Sequence, residues 1–454
     1  MNRRSLSALS LPLLFMLVPL TAVGAFEWGG SVTNTSQYET QEDSSEEDEF
    51  FQSNTLAFFL ETPLGESSEF AADAAYTYST DRAFLLDLRQ AHLTRQVQPE
   101  SGPTLFATRV GRFRSSDPTG EVLSHTMDGL RLTITYPELD LELTAGYTGL
   151  LLQPTARVSL SRLDQEEDEA DELLAPSRLI GQIRARMPDL FLGQSLEVAL
   201  LFQEDLRDPN SEDLIEPGAD TADPTRGGLV DTQYALLAVN GPILGNLFYN
   251  LYGVANTGRT LSFVEDESSA TGQLYEYKPF LAGLFGLRFD YFMPEILSSR
   301  ASLFGRLGTG DEDYGSYTEG NSEGTANLFT PITPRATGEV LGIEAGNSAH
   351  IGVSYSMRPF TDSAGDWLKR LQGEVTAYSY FRTIGEGVTS VGAIDSATEE
   401  PYLGSEINLA VRARPYSDFG IGVTTGVLFA NEAALVDDAR ETDFLVRLDA
   451  SLSF

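Results

Sequence analysis

The last residues of the chain, 443–454, read DFLVRLDASLSF, and apolar and polar side chains alternate along most of this segment. Successive side chains of a β-strand point to opposite faces, so the segment would have one apolar and one largely polar face. The apolar face would carry Phe444, Val446, Leu448, Ala450, Leu452 and Phe454. This pattern predicts a β-strand that ends the chain on an aromatic residue and whose two faces lie in different environments.

The beginning of the chain has the pattern of an export signal. Arg3 and Arg4 form a basic start, residues 6–20 are mostly apolar, and the small residues VGA at 23–25 precede Phe26. We therefore predict that residues 1–25 are a signal peptide that is removed. The alternative is a single N-terminal membrane anchor, but this apolar run is short and contains two prolines.

Later apolar runs in the chain all fall short of the length that a membrane-spanning helix needs, about 18 residues. A mature protein that enters a membrane would therefore cross it with strands. Five short connections, at Pro137, Pro188, Pro294, Pro359 and Pro415, each place a proline between alternating runs. Proline cannot donate a hydrogen bond to a β ladder, so we expect strands to end at these sites.

Short turns that alternate with long polar loops resemble the connections of outer-membrane β-barrels, and so does a closing strand that ends on an aromatic residue. We predict an all-β fold for residues 26–454, a transmembrane antiparallel up-and-down β-barrel of about 18 strands, with 16 also compatible. Its location would be the cell outer membrane of a diderm bacterium. Its partners would be outer-membrane lipid and the barrel-assembly machinery, which would recognise the strand that ends in Phe454.

Acidic residues give the chain a formal net charge of −37 and are concentrated in a few runs. Four such runs lie at residues 42–49, 164–172, 204–223 and 311–313. Blocks of like charge are solvated, so these runs are predicted to be surface loops. The simpler interpretation of the charge is solubility; the other is that the loops concentrate cations at a pore mouth or bind divalent ions. A nucleic-acid partner is not expected, because the charge would repel phosphate.

Strand parity predicts which residues line the lumen. In residues 374–382 and 407–414, one face is apolar and the other is polar or charged. An arginine that faces lipid at mid-depth would cost about 2–4 kcal/mol, so the charged face must line the lumen. The predicted pore-lining residues are Arg112, Arg131, Arg288, Arg306, Arg358, Arg370, Arg382, Arg412, Arg414, Arg447, Glu374 and Asp449. Such arginines would favour anions, or would brace the wall by pairing with inward acids on neighbouring strands.

An early part of the chain resembles a known family. Residues 87–132 contain DLRQAHL, then RVGRF at 109–113, SDPTG at 116–120 and MDGLR at 127–131. This order is similar to the early strands of Gram-negative porins of the alginate-export and phosphate-selective kind. His92 stands where an aromatic residue is more usual. The resemblance implies that Arg112 and Asp128 are lumen or loop-anchoring residues, and that the fold allows small solutes to diffuse.

Two functions remain open within the barrel fold. The first is a porin-like channel for passive diffusion of small, anionic solutes through an arginine-rich lumen. The second is a closed barrel whose acidic loops act as an adhesin or a structural element. A third interpretation, a soluble exported β-sandwich, would need the apolar faces to be buried against one another.

A homotrimer is compatible with the sequence. Residues 153–177 and 207–232 are the longest early loops that could constrict a pore.

The sequence shows no residue pattern that is typical of an enzyme or of a metal site. The chain has no cysteine, and its three histidines, His92, His125 and His350, are scattered along the sequence. Only His125 has Ser124 and Asp128 as local partners, which is weak evidence for catalysis. We predict no catalytic residue, no metal site and no cofactor.

Overall fold

The computed structural model describes residues 26–40, 48–80, 84–151, 174–207, 218, 230–314, 321, 323–361, 365–437 and 439–454. The predicted signal peptide and most residues of three of the four acidic runs lie outside these ranges. The described residues form 18 antiparallel strands in a single sheet. The strands are β1 Glu27–Glu39, β2 Glu49–Pro63, β3 Ser68–Ser79, β4 Leu85–Val97, β5 Leu105–Ser116, β6 Ser124–Thr135, β7 Asp140–Tyr147, β8 Arg178–Phe191, β9 Gln194–Asp205, β10 Val230–Leu244, β11 Leu247–Glu265, β12 Gln273–Met293, β13 Ser299–Gly308, β14 Ala349–Met357, β15 Gln372–Phe381, β16 Tyr402–Ala413, β17 Phe419–Ala430 and β18 Thr442–Ser453.

The first and last strands close the sheet into a barrel. β1 pairs with β2 on one side and with β18 on the other, with Ser31 opposite Ser453. The backbone N–H of Gly30 donates to the carbonyl of Phe454 at 2.9 Å, and the N–H of Phe454 donates to the carbonyl of Gly30 at 3.0 Å. Closure pairs the backbone groups that an open edge would leave bare, which is what a strand structure in lipid requires. The predicted fold class is confirmed, with 18 strands rather than 16.

The outer surface of the wall carries the apolar half of the alternating pattern. On β17, Ile421 and Val423 are exposed, whereas Thr424, the next residue along the same strand, is buried. Leu448 of β18 lies opposite Val423 and is 51% exposed, so it shares the outer face. The face predicted to be apolar at the end of the chain therefore points away from the lumen, as it does in a barrel surrounded by lipid.

The connections at the two ends of the barrel differ in length. Four of the five predicted proline turns lie between strands, and the start of β1 and the end of β18 lie on that side of the barrel. The exception is Pro188, which lies in the irregular last part of β8, because the chain turns later, at Leu192 (φ 51°) and Gly193 (φ 77°). Short turns face the periplasm and long loops face outward in such barrels. A short helix, α1 (Asp366–Lys369), and a 3-10 turn at Glu432–Ala434 complete the described elements. None of the described helices is long and apolar enough to cross a membrane.

Candidate functional site

The strand register identifies the inner face of the wall. Arg306 of β13 lies opposite His350 of β14 and is 5% exposed, whereas its neighbour Leu307 is 45% exposed on the outside. The same alternation holds on the other strands. The inner face includes Arg131, Arg288, Glu374, Arg412, Arg447 and Asp449. These predicted pore-lining residues therefore point toward the lumen.

Residues 326–343, between β13 and β14, leave the wall and cross the lumen; we call them the crossing loop. The hydroxyl of Tyr234 on β10 donates a hydrogen bond to the carbonyl of Thr330 in this loop at 2.7 Å. Next along the chain, the N–H of Thr333 donates to the carbonyl of Val122, between β5 and β6, at 2.9 Å. The crossing loop therefore contacts the wall and a second loop before it reaches β16.

Glu406 of β16 fixes the far end of the crossing loop. Its Oε1 accepts hydrogen bonds from the backbone N–H groups of Glu339 at 2.7 Å and Val340 at 3.2 Å. Its Oε2 accepts from the N–H of Leu341 at 3.0 Å and from the hydroxyl of Tyr380 at 3.1 Å. Hydrogen bonds to an ionised carboxylate are stronger than neutral ones. One buried side chain of the wall thus holds three consecutive backbone groups of the loop.

Apolar side chains bury the first half of the crossing loop against the wall. Phe329 and Ile332 are fully buried in one cluster with inward residues of β9 to β11, among them Leu201, Leu236 and Val254. Full burial of a large apolar side chain contributes about 1.5–3 kcal/mol. This part of the lumen is therefore filled by protein.

A second inward loop joins β5 to β6 and is organised by Asp117. Its Oδ1 accepts hydrogen bonds from the backbone N–H and the hydroxyl of Thr119, at 2.7 and 2.6 Å. Its Oδ2 accepts from the N–H groups of Val122 at 2.9 Å and Leu123 at 2.8 Å. A carboxylate that accepts so many N–H bonds fixes a tight loop.

Glu121 of this loop joins three parts of the lumen. Its carboxylate lies 2.9 Å from Nη1 of Arg306 on β13 and 3.3 Å from Nη1 of Arg335 in the crossing loop. Arg306 also donates a hydrogen bond to the carbonyl of Ile343 at 3.4 Å. Both inward loops are therefore tied to each other and to the wall by one charge cluster.

A cavity of about 530 Å³ remains between the crossing loop and the inner wall. Residues 335–339 line one side, and side chains of β11 to β17 line the other. Phe304, His350 and Tyr378 form an aromatic cluster there, with ring centroids 5.5–6.2 Å apart. Arg288 lies over the Phe304 ring at 5.3 Å, a favourable cation–π distance. The cavity therefore combines ring faces with charged groups.

Most arginines in and beside this cavity have an acidic neighbour. The ion pairs are Arg288–Asp290 at 2.9 Å, Arg412–Glu374 at 4.0 Å, Arg447–Glu339 at 2.8 Å and Arg447–Asp449 at 3.4 Å. Arg447 thus links β18 to the crossing loop. The sequence left two roles open for inward arginines, selection of anions and bracing of the wall. These ion pairs agree with the bracing role.

The inner wall from β4 to β9 carries a second group of arginines. Its ion pairs are Arg131–Glu142 at 3.5 Å, Arg184–Glu197 at 2.5 Å and Arg186–Glu197 at 3.4 Å. Arg109 differs, because among the described residues it donates to the hydroxyl of Thr94 at 3.2 Å and forms no ion pair. Arg109 and Arg131 line a cavity of about 200 Å³ with Thr94. Arg109 therefore has guanidinium donors that no acidic side chain of the described residues occupies.

Arg382 was predicted to line the pore, and that prediction is wrong. It follows β15, is 4% exposed, and donates to the carbonyls of Asp395 at 2.9 Å and Glu400 at 3.3 Å. Burial lowers the pKa of this guanidinium, and the charges of Asp395 and Glu400 act in the opposite direction. β15 ends at Phe381, so Arg382 lies outside the wall. Its hydrogen bonds anchor the loop between β15 and β16.

The prediction is also wrong for Arg112. Arg112 lies opposite Asp128 and shares the outer face with Val110, which is 51% exposed. Its Nη1 pairs with Asp128 at 2.8 Å, and its Nη2 donates to the carbonyl of Leu151 at 3.2 Å. Leu151 belongs to the loop after β7. Of the two roles that the family resemblance implied, loop anchoring fits these contacts.

Three further predicted pore residues lie at the end of the barrel with short turns. Arg358 follows the last residue of β14, Arg414 follows the last residue of β16, and Arg370 follows α1. All three are exposed. A proline directly after Arg358 and Arg414 ends the ladder. These arginines therefore lie in the turns outside the strands and do not line the wall.

Sequence reasoning missed the residues that position the inward loops. Asp117, Glu121, Arg335, Glu339 and Glu406 were not singled out. Asp117 belongs to the quoted SDPTG motif, and an Asp-Pro-Thr-Gly run is a turn signal that could have identified it. The other four depend on contacts between residues far apart in the chain. The two loops predicted to constrict a pore, 153–177 and 207–232, lie mostly outside the described residues.

No protein-family profile matches the chain, and no curated protein is significantly similar to it. Solved structures do match. OccAB1 of Acinetobacter baumannii has a TM-score of 0.55 and 11% identity, with 94% of this chain and 97% of that chain covered. OpdO of Pseudomonas aeruginosa has a TM-score of 0.54 and 11% identity, over 94% and 97% of the two chains.

OccK5 (OpdH) of Pseudomonas aeruginosa has a TM-score of 0.53 and 12% identity, over 94% of this chain and 98% of that chain. OpdK of the same organism, described as an outer membrane protein, has a TM-score of 0.51. Likeness at such low identity shows the fold. The chain has the closed β-barrel fold of outer-membrane porins, as predicted.

Proposed function

We propose that this chain is an outer-membrane channel that admits small anionic solutes by diffusion through an arginine-rich lumen. The observation that carries the proposal is the cavity of about 530 Å³, which stays open inside a closed barrel between the crossing loop and a polar wall. A porin-type channel needs such a water-accessible space beside the loop that narrows it. The fold of the solved structures supports diffusion by analogy, but a fold does not identify the solute.

The choice of anions rests on the balance of charges. The cavity is lined by Arg288, Arg306, Arg335 and Arg412 and by Glu121, Glu339 and Glu374. Four arginines against three glutamates leave a small positive excess. On the β4–β9 wall the inner face carries Arg109, Arg131, Arg184 and Arg186, and also the acids Asp140, Glu142 and Glu197. The positive excess around the cavity raises the local concentration of anions there.

The proposal extends to export, assembly and the absence of catalysis. Residues 1–25 are removed on export. The strand that ends in Phe454 is recognised by the barrel-assembly machinery, and the mature barrel lies in the outer membrane, where a homotrimer is one assembly open to it. The chain carries out no enzymatic reaction and holds no metal or cofactor.

One observation favours the second function, a closed barrel that acts as an adhesin or structural protein. Phe329 and Ile332 of the crossing loop are fully buried against the wall, so protein fills part of the lumen. A closed barrel would require that the remaining cavity does not connect the two sides of the membrane.

Liposome swelling separates the two functions. Vesicles that contain the refolded mature protein are diluted into isotonic solutions of solutes matched in size, one anionic, one neutral and one cationic. The channel proposal expects swelling in all three, fastest with the anion. Swelling no faster than in protein-free vesicles would favour the closed barrel, and fastest swelling with the cation would refute anion preference.

A further inference from the structure

The outer face of β1 and β2 contains a group of polar side chains. The outward positions of β1 run Val32, Asn34, Ser36 and Tyr38, and those of β2 opposite them run Leu56, Asn54, Gln52 and Phe50. Asn34, Ser36, Gln52 and Asn54 form what we call the amide patch. On β17 the outward positions Ile421, Val423 and Val427 are apolar, with the hydroxyl of Thr425 between them.

The amide patch lies within the membrane-spanning height of the wall. Trp28 begins the outward row of β1 near the short turns, and Tyr38 ends it near the outer loops. Asn34 lies six residues from Trp28 and four from Tyr38, which is near mid-depth for a tilted strand. Aromatic residues mark the two interfaces of a membrane barrel. Lipid headgroups and water therefore do not reach Asn34 and its partner on β2.

The hydrogen bonds within the patch are incomplete. Asn34 Nδ2 donates to Asn54 Oδ1 at 2.8 Å, and the hydroxyl of Ser36 donates to Asn34 Oδ1 at 3.4 Å. Among the described residues, the amide nitrogen of Asn54 and the side-chain amide of Gln52 have no hydrogen-bond partner. Unpaired amide groups in hydrocarbon are costly, because no water can satisfy them.

We propose that the amide patch is the contact surface for a second copy of this chain. A carboxamide donates and accepts hydrogen bonds, so the patches of two copies complete each other without any other partner. Copies related by a rotation axis along the membrane normal keep the patch at one depth and all chain ends on one side. Polar side chains that bond across subunits stabilise association in membranes.

The surroundings of the patch fit such a contact. Val32, Tyr78 and Leu448 border it on the outer face and are 43%, 50% and 51% exposed. Tyr78 of β3 lies directly opposite Asn54, and Leu448 of β18 lies directly opposite Ser36. Apolar side chains around a small polar centre pack against the partner and exclude lipid. This inference concerns assembly and holds whether or not the lumen conducts.

Cysteine cross-linking in isolated outer membranes tests the proposal, because the chain has no cysteine of its own. Val32→Cys places one thiol at the border of the patch and keeps all four polar residues. Leu251→Cys is the matched control, because Leu251 is exposed on the outer face of β11, on the far side of the barrel. We expect a covalent dimer of this chain from the first variant and none from the second.

A second pair of variants identifies the amides as the cause. In the Val32→Cys background, Asn34→Leu/Asn54→Leu should lower the cross-linked fraction about tenfold, whereas Thr425→Leu on β17 should leave it unchanged. Both changes place an apolar side chain against lipid, so each variant should still fold. Its unheated and heated samples should then migrate at different apparent masses on a denaturing gel, as those of a folded barrel do. Equal cross-linking at Val32→Cys and Leu251→Cys, linkage to a different protein, or no effect of the double substitution would overturn the proposal.

Discussion

The inner wall of the barrel has two sides that differ in polarity. On β9 to β11 the inward side chains Leu201, Leu236 and Val254 are buried against the crossing loop. On β15 and β16 the inward side chains Thr376 and Asn408 line the open cavity. Both sides belong to the same antiparallel ladder. On β9 to β11 apolar inward side chains meet the first half of the crossing loop, whereas Thr376 and Asn408 border open space. The end of the loop also packs on β15 to β17, through Leu341 and Ile343.

The difference between the two sides of the inner wall is also present in the sequence, as a difference in how regularly apolar and polar residues alternate. Residues 198–202 (VALLF) on β9 and 235–239 (ALLAV) on β10 are apolar at every position. On these two strands the outward side chains Leu200 and Leu237 are exposed on the lipid face, and the inward side chains Leu201 and Leu236 are buried against protein. β18 keeps most of its alternation, with apolar side chains outward and mostly polar ones inward. Loss of alternation in a barrel strand thus predicts where a loop packs inside.

The largest expected effect comes from a charge placed on the apolar side. Leu236→Asp would bury a carboxylate without a partner in the cluster that holds Phe329, at a cost of about 3 kcal/mol or more in the free energy of unfolding. Urea unfolding of the protein in lipid vesicles measures this loss. Thr376→Asp makes a similar change on the polar side, and a comparable loss there would contradict the distinction between the two sides.

The next effect concerns the end of the crossing loop. Glu406→Gln weakens the hydrogen bonds to the N–H groups of residues 339–341, at a cost of about 1.5–3 kcal/mol. We expect larger and noisier single-channel conductance, because the loop is released from β16. Glu374→Gln removes the same charge from the lumen without a contact to the loop. If both variants show the same noise, Glu406 does not hold the loop.

A smaller effect is expected at the junction of the two inward loops. Glu121→Gln removes the carboxylate that pairs with Arg306 and Arg335. Two arginines then keep their charge without an acidic partner, and the anion-to-cation permeability ratio should rise about twofold. Reversal potentials in a salt gradient measure this ratio. A fall in the ratio would mean that these arginines do not face the ion pathway.

The smallest effect is expected at Arg109 on the β4–β9 wall. Arg109→Ala should lower the permeability ratio by less than about twofold, because the remaining arginines still set the field. Arg109→Lys keeps the charge and should restore most of the ratio. If the lysine variant loses as much as the alanine variant, the bond to Thr94 matters more than the charge.

Local patterns were enough to predict the wall. The alternation of residues 443–454, the proline turns and the loop asymmetry predicted a membrane barrel, because each feature depends on neighbouring residues. Inward arginines such as Arg306 and Arg412 were predicted from parity for the same reason. Arg112 was assigned to the wrong face. The site at Glu121 and Glu406 could not be predicted, because it depends on how a long loop folds across the lumen.

The amide patch on β1 and β2 shows a related limit. Alternation places Asn34 and Asn54 on the outer face, and the strand register alone brings them together. A single polar residue among the outward positions of one strand does not predict a contact surface from the sequence. Four that meet across two strands indicate a contact surface.

The central proposal is that an open, arginine-rich lumen conducts anions past the crossing loop. The most direct measurement is the single-channel current of the refolded mature protein in a planar bilayer, with the reversal potential taken in a salt gradient. We predict steady open steps and a reversal potential of the sign that anion preference requires. A reversal potential of the opposite sign, or folded insertion without any current, would contradict the proposal.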